Sequence, residues 1–202
     1  MQYPSFFNDV EKITLQDPLS SFLGTFENGI IDFNYIDVVI SAGHSCPTVA
    51  GAYLITLKAL KALYKDEIPQ RGSIKVLFNE NALEGVAGVI AMVVTNITGA
   101  TENTGFKGIG ENFNRTGLMA FEQDIPGSAR FIRVDTGESV DVFYNPGIIP
   151  PAAEMGHLMQ KIQMKSATPD DKKQFGSLWQ ERVKKILIDN FDNEEVIRTQ
   201  ML

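Results

Sequence analysis

The 202-residue chain is predicted to fold as an α+β protein, with a mixed, mainly antiparallel sheet and helices packed on one face. Three observations predict this. A long amphipathic helical pattern covers residues 47–64, three strand-like segments follow one another between 117 and 144, and two further helical segments close the chain after residue 151. Helix, strand and helix, then strands in succession, then paired helices, is the order of an α+β domain rather than of a repeated βαβ unit. Residues 1–33 form a lead-in, 34–150 the core, and 151–202 C-terminal helices packed on that core.

The lead-in is expected to be irregular or partly helical, with a break at Pro18 and a turn at Gly29 before Ile30 and Ile31. From Asn34, NYIDVVISAG fits a short helix with Asn34 as cap and Asp37 in the first turn, or a strand through Val38, Val39 and Ile40; periodicity does not separate them at this length. The helix from Pro47 to Tyr64 has Val49, Tyr53, Leu57, Leu60 and Tyr64 at three- and four-residue spacing, with lysines at 58, 61 and 65. Ala50, Gly51 and Ala52 in its first turns permit close approach of a packing neighbour or a ligand.

Ser73 to Phe78 alternates and predicts a strand ended by Asn79 and Asn81. Leu83 to Ile97, rich in Val, Ile, Ala and Met, predicts a mostly buried helix that carries Glu84 at its start, where an acid suits the helix dipole with or without a metal. A glycine- and threonine-rich loop runs from Thr98 to Gly110. It lacks the order of a phosphate-binding P-loop and the strand-before-helix context of a dinucleotide fingerprint, so a plain connection is the simpler reading. Strands are predicted at 117–122, 129–134 and 139–144, the last two joined through Asp135-Thr136-Gly137, a hairpin signal. Helices follow at 153–163 and 169–188. Thr168 as N-cap, Pro169 at the first helical position and Asp170 and Asp171 behind it specify the second start well.

Hydrophobic residues make up 44% of the chain and charged residues 21%, as expected of an ordinary globular domain. Against 18 basic residues stand 25 acidic ones, for a formal charge of −7, and the basic residues are scattered, which argues against nucleic acid as a partner. No segment reaches the roughly 18 apolar residues of a membrane span, and MQYPSFFNDVEKI lacks a basic region followed by an apolar run. A cytoplasmic protein that does not engage membranes is the expectation.

The chain has one cysteine and two histidines, and Gly43-His44-Ser45-Cys46-Pro47 brings the cysteine within two residues of one histidine at a helix start. With Pro47 at the first helical position, Cys46 is the N-cap and faces unpaired backbone N–H groups, a setting that favours thiolate. His44 adds a second soft ligand or a proton acceptor. Two ligands leave a zinc-type divalent metal with an open shell, to be completed by water, substrate, a carboxylate such as Glu80 or Glu84, His157, or another copy of the chain. The alternatives are a cysteine-thiolate enzyme using Cys46 with His44, and a noncatalytic interaction subunit in which Cys46 is a small buried hydrophobe and His44 a turn residue. His157 lies on a Met-rich apolar helix with Met155, Met159 and Met164, a pattern commoner in core or dimer packing than in a metal site. Trp179 is read as core.

At GHSCP, and at Thr98-Gly99-Ala100-Thr101 with Gly105 and Lys107 beyond it, the chain resembles the FmdE-like family of formylmethanofuran dehydrogenase subunits, over roughly residues 34–145. Its common patterns are GHxCPG and TGCT followed by glycine and lysine. The resemblance implies an α+β fold like the catalytic domain of glyceraldehyde-3-phosphate dehydrogenase, a homodimer, and a zinc-type metal beside the HxC. Ala42 and Ala100 stand where the family often has histidine and cysteine, and the C-terminal zinc ribbon of many members is impossible with one cysteine. This makes the chain a divergent branch, for which methanofuran chemistry is not implied. On this reading Thr101 and Lys107 are the candidate contacts to a small anionic ligand.

Overall fold

In the computed structural model, which describes residues 2–202, a five-stranded mixed sheet carries a long buried helix on one face. Strands β1 (Ile13–Gln16) and β2 (Ile30–Phe33) form a separate antiparallel pair. Between them α1 (Pro18–Phe22) starts at Asp17, whose carboxylate accepts the N–H groups of Leu19 and Ser20. The lead-in is therefore more ordered than the sequence pattern suggests. Phe6, Phe7, Val10, Ile13 and Leu15 all enter the main hydrophobic core, in segments too short to show a period.

Helix α2 (Tyr35–Ala42) resolves the ambiguity after Asn34 in favour of a helix. The Asp37 carboxylate accepts both the backbone N–H and the side-chain amide of Asn34, and Gly43 ends the helix at φ +75°. Helix α3 (Pro47–Tyr64) has the predicted bounds and is nearly all buried. After β3 (Ile74–Leu77) comes α4 (Ala87–Thr98), which starts four residues later than predicted. The Asn81 side chain accepts the N–H of Leu83, and Gly85 has φ +51°, so residues 81–86 turn instead of entering the helix.

Strands β4 (Met119–Ala120), β5 (Ala129–Arg133) and β6 (Ser139–Tyr144) occupy the predicted segments. The first is short because Gly117 and Glu122 both have positive φ and end the pairing on either side. Beyond β6, α5 (Glu154–Gln163) packs against α6 (Pro169–Lys184), which continues into a π-helical turn at Lys185–Asp189. A final strand, β7 (Ile197–Met201), is not predicted by the sequence pattern, which assigns this region to helices alone. Only its first residue is buried, as suits an edge strand, so no alternation marks it.

The sheet order is β4-β3-β5-β6-β7, with β4 parallel to β3 and every other pair antiparallel. Val76, Phe131 and Val140 stand in register across its inner face, all fully buried, under α3. At Gly51 the helix backbone and the sheet approach closely. A Cβ there would enter the ring of Tyr144, the last residue of β6. The small residue Gly51 thus serves a packing neighbour. A single hydrophobic core draws on the lead-in, the central region and the C-terminal segment together.

Candidate functional site

Helix α3 begins at Cys46, in extended conformation at φ −148°, with its Sγ accepting the Val49 N–H at 3.4 Å. The sulfur thus takes the place of the hydroxyl or carboxylate that usually caps a helix. Cys46 is 9% exposed and free of any disulfide. Just upstream His44 is exposed, and its Nδ1 lies 3.0 Å from the Ala42 carbonyl oxygen. A carbonyl can only accept, so Nδ1 carries a proton, and in the neutral imidazole Nε2 is the nitrogen with the free lone pair. A backbone acceptor on one ring nitrogen is the arrangement that orients an imidazole for metal binding through the other.

Four side chains from distant parts of the sequence hold this short segment. The hydroxyls of Tyr35 and Ser45 are 2.9 Å apart, and the Tyr144 hydroxyl donates to the Pro47 carbonyl at 2.7 Å. Trp179 Nε1 and Gln180 Nε2, both on α6, donate to the Ser45 carbonyl at 3.0 and 3.2 Å. Burial pushes the phenols of Tyr35 and Tyr144 up from their ordinary value, so they act here as neutral hydrogen-bonding groups. These supports are not legible in the sequence because their spacing carries no motif. Trp179 offered the one available signal, since a buried indole N–H needs an acceptor.

The other sequence candidates are dispersed. Glu84 is exposed in the turn before α4, not in its first helical turn as expected. His157 is exposed on α5, where Met155 is buried while Met159 and Met164 face outward. The Thr101 hydroxyl donates to the Arg115 carbonyl at 2.7 Å and is therefore engaged within its own loop, whereas Lys107 is exposed. The same loop is closed by bonds from Arg115 N–H to the Phe106 carbonyl and from Gly117 N–H to the Glu102 carbonyl, so it is a folded connection. No group of three or more His, Cys, Asp or Glu side chains close enough to hold a metal ion occurs among the described residues. An imidazole nitrogen and a thiolate sulfur are both donors that zinc-type metals accept.

Beside the start of α3 opens a cleft of about 820 Å³, within the size range of small-molecule sites. It lies at one end of the sheet, where Phe78 to Glu80 leave β3, Pro126 to Ser128 enter β5, and Tyr144 and Asn145 leave β6. Thr48 of α3 and the first turn of α4 overhang it. Neither Thr101 nor Lys107 lines it. Tyr144 connects the cleft to the cysteine segment, since its ring lines the cleft and its hydroxyl bonds Pro47.

Under the Gly-rich loop lies a buried charge cluster. Asp17 bonds Arg115 at 2.6 Å and Arg71 at 2.9 Å. Burial alone would raise the Asp17 carboxyl, but the two guanidinium groups and the Ser20 N–H hold it below its ordinary value. This cluster ties β1 and α1 to residues 71 and 115 and serves the fold. No protein-family model matches the chain, and a search of curated proteins finds no match to it.

Proposed function

We propose that the protein binds a zinc-type divalent metal ion through His44 Nε2 and Cys46 Sγ, in an open shell whose remaining positions are filled by water, a bound molecule or a second copy of the chain. The observation that carries this reading is the His44 Nδ1 bond to the Ala42 carbonyl, which leaves Nε2 as an oriented, exposed donor two residues from the only thiol. The thiol lies at the positive end of an 18-residue helix, which stabilises the charge a metal-bound thiolate carries. The FmdE-like resemblance of GHSCP and TGAT points the same way and adds a homodimer to the proposal. A cytoplasmic setting accords with a thiol that has no disulfide partner in its own chain. A metal held this way would supply Lewis acidity or an activated water to whatever occupies its open side.

Elemental analysis and zinc titration of the wild type, His44→Ala and Cys46→Ser test the reading. Stoichiometric metal in the wild type that disappears in both folded variants is expected. Wild-type protein that remains metal-free after titration removes it. A second reading, thiolate chemistry without metal, draws on the Val49 N–H that faces Sγ. It predicts that metal-free native protein alkylates at Cys46 faster than the unfolded chain does, and slower alkylation of the native protein excludes it.

A further inference from the structure

We propose that the cleft at the end of the sheet is a binding site for a small organic molecule bearing an alkylammonium group on an apolar body. Its floor is apolar, formed by buried Phe78 and Ile90 with half-buried Phe143. Its charged lining is Glu80, Glu194, Glu195 and Arg198, three carboxylates against one guanidinium. None of the three carboxylates is in an ion pair among the described residues. The Arg198 guanidinium is stacked 3.7 Å from the Phe143 ring centroid.

The positive ends of α3 and α4 also approach the cleft, each worth about half a charge, which offsets roughly one carboxylate. The α3 end is already capped by the Cys46 sulfur. The lining therefore stays negative, and a negative recess with apolar walls concentrates organic cations. An ammonium group carries three N–H donors and no acceptor, which suits free carboxylates better than a hydroxyl or a carboxylate ligand does. The apolar floor selects amines with a hydrocarbon body over bare polyamines. This site stands independently of the metal reading, because none of its carboxylates is near enough to His44 and Cys46 to form a ligand group with them.

Calorimetric titration with phenylbutylamine, phenylbutanol and phenylbutyrate, three ligands of one skeleton, tests the proposal. The amine is expected to bind at least about fivefold more tightly than the alcohol, and the carboxylate most weakly. Glu80→Gln and Glu194→Gln should each weaken the amine by up to about fivefold, the scale of an exposed ion pair, without changing alcohol binding. Both positions are exposed, so thermal melts of the variants should overlay the wild type. Equal binding of amine and alcohol, amine binding indifferent to both glutamine variants, or no binding of any of the three would overturn it.

Discussion

At the scale of single residues, Cys46 has two separable roles. Its sulfur caps α3 by accepting the Val49 N–H, and it is the proposed metal ligand. Serine keeps a capping oxygen while removing the thiolate, whereas alanine removes both. Cys46→Ala should therefore lose about 1 kcal/mol of stability by urea denaturation, and Cys46→Ser should stay close to wild type while losing metal. Equal destabilisation by both substitutions would show that volume, not capping, is what the site requires. Gly51 is constrained differently. Any side chain there displaces the Tyr144 ring and with it the hydroxyl bond to Pro47, so Gly51→Ala should cost about 1–3 kcal/mol, the scale of overpacking, and disturb the His44-to-Pro47 segment.

At the scale of elements, α3 was readable from its apolar spacing and from Pro47, and α6 from its Thr168–Asp171 cap. In the fold the Thr168 hydroxyl accepts the Asp171 N–H at 3.1 Å, and the Asp171 carboxylate accepts the Thr168 N–H at 2.9 Å. That carboxyl is lowered to about 2, first by Lys161 across the α5–α6 junction and then by Thr168. An NMR titration should find it ionised well below the ordinary carboxylate range, and a midpoint near 4 would show the junction open. The segments that escaped reading are those whose reason to form is tertiary. β7 exists because β6 offers it an edge, and β1 because Ile13 and Leu15 meet a core built by distant residues. Asp17 belongs here too, since its two arginine partners lie 54 and 98 positions away. Asp17→Asn leaves Arg115 buried without its counter-charge, and should cost about 3–5 kcal/mol at neutral pH. The folded-state carboxyl lies below its unfolded value, so this stability is present above about pH 4 and is lost as pH falls through the folded value. Urea melts of wild type and variant should converge in acid, and a gap that persists there would contradict the assignment.

At the scale of the molecule, the α+β class followed from the order of elements, but the integration of the chain's ends did not. The lead-in, the central region and the C-terminal segment share one core, and β7 supplies the last strand of the main sheet. Deleting residues 191–202 should abolish cooperative unfolding and promote association through the exposed β6 edge. A truncated chain that still melts in a single sharp transition would show β7 to be an accessory. The candidate site follows the same division. GHSCP was visible as a motif, whereas Tyr35, Tyr144, Trp179 and Gln180 converge on it only through the fold, as do the carboxylates of the neighbouring cleft. No helix is long and apolar enough to cross a membrane among the described residues.

The proposed function depends most heavily on His44 and Cys46 acting together on one metal ion. Zinc titration of the full chain followed by elemental analysis, with His44→Ala and Cys46→Ser measured alongside, tests this directly. Stoichiometric metal is predicted in the wild type, lost in both variants while their urea melts remain cooperative. Metal-free wild type, or variants that retain metal as the wild type does, would contradict it.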